Sequence, residues 1–224
     1  MHFSLDYSFF FSIDSFFYKE IFLSCEQVWE ALCKLPSYIA SQKLGDWYSE
    51  PSKNCFLVSP EKISIGKNTI IEPGAFLEGP SIIGEDVLIR SGAYVRKYSL
   101  LGKGVIIGHG TEVKNSILLN GAHAAHFSYV GDSILGKDVN LGAGVKCANL
   151  RLDKKKIALN YQGKIFQTNL EKMGAIIGDY SQIGCNAVLN PGTFLAKHSL
   201  CRPLQSVKGF FYSSKSLERI FYAK

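Results

Sequence analysis

The chain has 224 residues, 46% of them hydrophobic, and a net charge of +6 at neutral pH. That apolar content over that length argues against intrinsic disorder and supports one sizeable domain, alone or with a small appendage. The basic balance is mild and comes with no arginine-rich cluster or RNA-binding motif, so it gives no support to nucleic-acid binding; phosphate-bearing metabolites, or a simply solvated surface, account for it.

In chain order, the N-terminus is rich in phenylalanine (Phe9, Phe10, Phe11, Phe16, Phe17), yet Asp6, Asp14, Lys19 and Glu20 interrupt any run long enough for a signal peptide or a membrane span. A soluble protein is expected. An early helix is expected around residues 14–23. Ser24 and Gln27 then read as a capping box for a helix over about 25–40, in which Val28, Trp29, Leu32 and Ile39 recur at helical intervals. The Leu35-Pro36 pair is expected to kink or divide it, because proline has no amide donor and disfavours helix in the residue before it. Residues 45–60 read as a connector, and the aromatic content of residues 1–60 is expected to cover the open end of the domain that follows.

From residue 63 one pattern dominates. Ile65, Ile71, Leu77, Ile83, Ile89, Val95, Leu101, Ile107, Val113 and Leu119 fall at an unbroken six-residue interval, with small or β-branched residues (Thr69, Ala75, Ser81, Val87, Ala93, Ser99, Val105, Thr111) two positions before them. A period of six fits neither a heptad coil nor an amphipathic helix. It suits a parallel β-helix whose triangular coils stack one aliphatic position into an interior ladder. The register then breaks and resumes in a second phase, with Tyr129, Leu135 and Leu141, and later Ile177, Ile183, Leu189 and Leu195. Between these runs, residues 150–173 lack the spacing and hold Gln162-Gly163 between β-prone segments, which predicts a loop or hairpin thrown out of the solenoid and a candidate wall for a site. The expected division is therefore a helical extension and connector over 1–60, a β-helix over 61–203, and a tail over 204–224 whose apolar residues would form a closing helix or a packing arm. The six cysteines (Cys25, Cys33, Cys55, Cys147, Cys185, Cys201) form no C-x-x-C and no regular spacing, so neither a zinc ribbon nor a disulfide framework is indicated, and a reducing cytoplasm is the plain reading.

The chemistry is concentrated at the phase break. Residues 112–144 read EVKNSILLNGAHAAHFSYVGDSILGKDVNLGAG, followed by Cys147-Ala148-Asn149-Leu150-Arg151-Leu152-Asp153 and, further on, by Glu171-Lys172-Met173-Gly174-Ala175-Ile176-Ile177-Gly178-Asp179. Over about residues 63–203 the sequence resembles the acetyltransferase domain of the bifunctional N-acetylglucosamine-1-phosphate uridyltransferase/glucosamine-1-phosphate acetyltransferase family, and its sugar-1-phosphate nucleotidyltransferase relatives. The resemblance rests on the H-F-S-Y-V-G-D and V-N-L-G-A-G blocks. It implies a mainly β fold, a left-handed parallel β-helix of hexapeptide repeats, assembled as a homotrimer with sites between subunits. It further implies acetyl transfer from acetyl-CoA, as co-substrate, to an amino sugar phosphate, in the chemistry that feeds UDP-N-acetylglucosamine and the cell envelope.

Carried over by position, the resemblance makes His126 the general base and Arg90 and Lys114 the holders of the sugar's phosphate. Tyr129 and Asn140 would position the substrate, while Ala143 and Asn149, with Cys185 where the family has serine, would line the acetyl-CoA pocket. The residue types suit those roles, since imidazole titrates near neutrality and arginine pairs bidentately with phosphate. Leu150 stands where the uridyltransferase family has tyrosine, so the acceptor could differ. No G-x-G-T-R loop is present to hold a nucleoside triphosphate, and nucleotidyltransferase activity is not expected.

Duller readings stay open at each position. His126 could be a corner side chain bonded to a carbonyl, Arg90 and Lys114 could serve ion pairs, Tyr129 could be core, and Cys185 a small buried residue. Two other functions also stand: a non-catalytic paralogue that binds sugar nucleotides or a partner, and a zinc-dependent β-helix protein of carbonic-anhydrase type using His109, His123 and His126.

Overall fold

The computed structural model describes residues 5–211. Three parallel sheets form the walls of a prism. Sheet I runs from Phe56–Val58 to Ser206–Val207 and has eight strands; sheet II runs from Ile63–Ile65 to Phe210–Phe211 and also has eight; sheet III runs from Ile70–Ile71 to Leu200–Cys201 and has seven. The chain visits I, II and III in turn and returns to I one coil on, as a left-handed β-helix. The first coil thus starts at Phe56, before the expected boundary at 61, and the last extends past 203 to Phe211. The expectation for the remainder of the tail falls outside the described residues.

One residue per strand points inward. Leu77, Val95, Val113, Val130 and Cys147 stack on sheet I, Ile83, Leu101, Leu118 and Leu135 on sheet II, and Ile89, Ile107, Ala124 and Leu141 on sheet III, all buried. Each aliphatic member withdraws enough apolar surface to stabilise the fold by about 1.5–3 kcal/mol, so the ladder rather than local propensity holds the prism together.

The ladder corrects the sequence reading at two positions. The step is six residues up to Val113, then five to Leu118, and again five from Val130 to Leu135. Both short steps fall at the corner between sheets I and II, where Asn115 (φ 44°) and Asp132 (φ 48°) take left-handed conformations two residues after the inward side chain; in the preceding, full-length coil Tyr98 does so three residues after it. Leu118, not Leu119, is therefore the interior residue, and Leu119 turns outward into a second apolar cluster. Likewise Val130 is interior while Tyr129 lies half-buried on the outer face of sheet I. In the next coil the same corner opens to release residues 148–174, so three successive coils deviate at one edge.

Of the aromatics of residues 1–60, Trp47 caps the end of the prism as expected, packing on the interior ladder and donating from Nε1 to the Ile63 carbonyl at 2.8 Å. The helical extension does not cap that end. It lies along the outer face of sheet II, where Ile82, Leu100, Ile117, Ile134, Ile176 and Phe194 form an apolar stripe against Phe10, Phe11, Phe22, Val28, Trp29 and Leu35. Its helices are shorter than predicted: α1 spans Glu20–Leu23, and α2 spans Glu30–Ser41 with Pro36 inside it. The Ser24–Gln27 capping box does not form, because the Gln27 side-chain oxygen accepts the amide of Leu5 and α2 opens at Trp29 without a side-chain cap. Strands Ala158–Tyr161 and Lys164–Gln167 pair antiparallel about Gln162-Gly163, both at positive φ, as the hairpin signal requires. Ile157, Leu159 and Tyr161 bury this hairpin beside the helices on sheet II, while the start of the excursion, Leu150–Asp153, lines a surface cavity with Asn190 and Lys208.

Candidate active site

Where sheet III turns into sheet I, register places His109, His126, Ala143 and Cys185 in one vertical file. Beside it, on the outer face of sheet III, run Arg90, Gly108, Ala125, Gly142, Gly184 and Arg202. Glycine is structurally required at three of these positions. A Cβ on Gly108 would be driven into the Ala125 carbonyl oxygen, one on Gly142 would lie 2.7 Å from the Cys185 nitrogen, and Gly184 is pressed against Arg202-Pro203. A strip without bulky side chains results, four coils tall, or about 14 Å at the usual strand spacing. Arg90 and Arg202 close its ends, and His123, Asn140 and Gln182 form its far border.

His126 is exposed at the edge of this strip. Its carbonyl accepts the amide of Gly144 (2.9 Å) and the hydroxyl of Ser128 (3.2 Å), which fixes the backbone, while no described residue hydrogen-bonds its ring. A base needs that accessible lone pair. His109, directly below, is committed: its Nδ1 lies 2.7 Å from the Ser91 carbonyl and its ring packs edge-on against Phe127. His123 belongs to a different file on sheet III. Among the described residues of one copy, no three histidine, cysteine, aspartate or glutamate side chains are placed to hold a metal ion.

Across the corner, on sheet I, lies a second cluster built on the buried carboxylate of Asp132. Lys114 Nζ reaches it at 3.2 Å and Asn115 Nδ2 at 2.8 Å, and Asn149 Nδ2 also donates to it. Asn115, Asp132 and Asn149 meet because the two shortened corners and the start of the excursion share one file. Burial, reinforced by the nearby Glu112 and Asp132 carboxylates, raises the pKa of the Tyr129 hydroxyl. On the same face Arg96 pairs with Glu112 at 2.9 Å.

The predicted site residues thus divide. Arg90, His126, Asn140, Ala143 and Cys185 border the strip on sheet III, with Cys185 exposed rather than buried. Lys114, Tyr129 and Asn149 belong to the Asp132 cluster on sheet I, and Lys114 is an ion-pair partner there, its side chain only 21% exposed. Arg90 lies two coils from the level of His126, about 10 Å along the stack. One residue escaped the sequence reading. Lys146, in register with Tyr129, donates from Nζ to the carbonyls of Phe127 (2.9 Å) and Gly144 (2.8 Å), flanking His126 on the sheet I side. Its position follows from the 17-residue coil from Tyr129 to Lys146, which the phase break does not reveal.

The model of the GMPPB C-terminal domain matches residues 77–169. A bifunctional sugar-1-phosphate nucleotidylyltransferase/acetyltransferase of Sulfurisphaera tokodaii is 39% identical over 90 residues, which are 40% of this chain and 22% of that protein. An Escherichia coli K12 protein, YaiX, described as an uncharacterized acetyltransferase, is 32% identical over 142 residues, 63% of this chain and 62% of its own. This chain therefore spans about a fifth of the first relative and under two thirds of the second. Among solved structures, LpxA from Acinetobacter baumannii is similar with a TM-score of 0.45 and 13% identity, covering 80% of this chain and 78% of that one.

Proposed function

We propose that this chain is an acyltransferase that moves the acetyl group of acetyl-CoA onto the amine of an amino sugar phosphate of the glucosamine-1-phosphate kind, with His126 as general base. One observation carries the reading: an exposed imidazole free of internal hydrogen bonds, at the rim of a bare strip, within the segment similar to acetyltransferases. The chemistry balances with that one residue. His126 takes a proton from the attacking amine as nitrogen bonds to the thioester carbonyl carbon; the C–S bond breaks, and the imidazolium returns the proton to the departing CoA thiolate. The Gly142 and Gly144 amides are bonded to the Ile183 and His126 carbonyls, so the Ala143 amide between them is the candidate to stabilise the thioester oxygen.

Assembly as a homotrimer suits this reading. Sheet II is already covered by the chain's own N-terminus, which leaves the faces of sheets I and III, and the corner carrying His126, for neighbouring copies. No described helix is long and apolar enough to cross a membrane. The proposed use of acetyl-CoA is what supports a cytoplasmic location.

The test is CoA release with glucosamine-1-phosphate and related amino sugar phosphates, followed chromatographically. His126→Ala should lower kcat at least about a hundred-fold at unchanged Tm. A non-catalytic binding role is favoured by two features, the commitment of Lys114 to Asp132 and the presence of Leu150. It would be established by tight sugar-nucleotide binding with no CoA release from any acceptor.

A further inference from the structure

Three cations were assigned or lie close to the proposed site, and their surroundings differ. Lys114 is neutralised by the buried Asp132. Arg90 stands about 10 Å down the stack from His126. Lys146 is exposed, forms no ion pair among the described residues, and is fixed in place by carbonyls rather than carboxylates. An ammonium has three donors, and Lys146 commits two of them to Phe127 and Gly144. The carbonyls orient it without cancelling its charge, and one N–H is left over. Phe127 follows His126 in the chain, and the Gly144 amide bonds the His126 carbonyl, so the free donor is fixed to the same peptide frame as the imidazole.

We propose that Lys146 is the positioning residue for a phosphate group of a substrate, holding it at the sheet I side of His126 while Lys114 serves the fold. The inference rests on the acyltransferase reading for its kinetic test, though not for its binding test. The phosphate belongs either to the sugar acceptor or to CoA, and the two sources separate experimentally.

The experiment compares wild type with Lys146→Met, which keeps the aliphatic stem, and with Lys114→Met. If the acceptor supplies the phosphate, Lys146→Met raises its KM about ten- to a hundred-fold, the usual loss for a hydrogen bond to a charged group, with kcat within about three-fold and the KM of acetyl-CoA unchanged. If CoA supplies it, the rise falls on acetyl-CoA instead. An unchanged KM for both substrates, with a lowered Tm, would mean that Lys146 only staples the corner, and would overturn the inference. Calorimetric titration of inorganic pyrophosphate keeps the outcomes apart if no acceptor is turned over. Binding by wild type that weakens at least ten-fold in Lys146→Met and is retained in Lys114→Met upholds the phosphate site while the enzymatic reading fails; equal binding by wild type and Lys146→Met, or none by wild type, removes it.

Discussion

The carboxylate of Asp179 accepts the backbone amide of Ser12 at 2.7 Å across 167 positions of sequence. Its other oxygen takes the amide of Lys137 at 2.8 Å, and its own amide donates to Phe10. This buried group is the polar pin holding the aromatic extension on sheet II; Asn120 adds a bond to the Ser15 carbonyl. Asp179→Ala removes the shared acceptor of two part-buried amides, a cost of about 1 kcal/mol for each. Limited proteolysis should then cut near residues 10–16 several-fold faster than in wild type, while the β-helix stays intact. Equal cutting rates would show that the apolar contacts alone hold the extension.

The Asp132 cluster predicts an asymmetry between partners. Removing the carboxylate in Asp132→Ala leaves Lys114, Asn115 and Asn149 without their shared acceptor and should cost about 3 kcal/mol in urea denaturation. Lys114→Met leaves Asp132 with two amide donors and should cost less, about 1 kcal/mol. Equal effects would contradict the view that the cluster is organised by the carboxylate.

Register can be tested at Tyr129 and Val130, which exchanged roles between sequence and structure. Val130→Asp places a charge in the interior ladder and should prevent folding, whereas Tyr129→Phe, on the half-buried outer face, should cost no more than about 1 kcal/mol. Soluble Val130→Asp protein with native circular dichroism would return Tyr129 to the interior ladder, as its six-residue step to Leu135 and Leu141 predicts.

These residues also show what a sequence discloses. The strand period emerged because a single inward aliphatic per hexad decides burial, and the hairpin emerged because Gln162-Gly163 supplies two consecutive positive φ angles. The one-residue deletions did not, because Leu118-Leu119 and Tyr129-Val130 each offer two apolar candidates for one interior slot. Another signal was present but unused. The pairs Ile82-Ile83, Leu100-Leu101, Ile117-Leu118, Ile134-Leu135 and Ile176-Ile177 fall on one sheet, and consecutive apolar residues mark a strand buried on both faces. They identify sheet II as the covered wall and so the true seat of the N-terminal aromatics. At the site, the repeat phase could not reveal that Lys114 faces a carboxylate from the next coil.

The cysteines give the last prediction, which combines burial with pH. Cys33 and Cys185 are exposed, whereas Cys147 and Cys201 stack inside the prism. A maleimide at neutral pH should modify Cys33 and Cys185 at once in the folded protein and reach Cys147 only after denaturation. Burial pushes the Cys147 thiol up to about 12 from an ordinary 9.0. The folded state therefore keeps its proton where the unfolded chain has lost it. The stability associated with this thiol is fully present below pH 9 and is lost as the pH climbs from there towards 12, at up to about 1.4 kcal/mol per pH unit. Urea midpoints measured between pH 8 and 10.5 should fall more steeply in wild type than in Cys147→Ala, which has nothing to ionise at that position. Parallel slopes would mean that the thiol is reached by water in the folded state, and that the interior ladder of sheet I is open where the excursion leaves it.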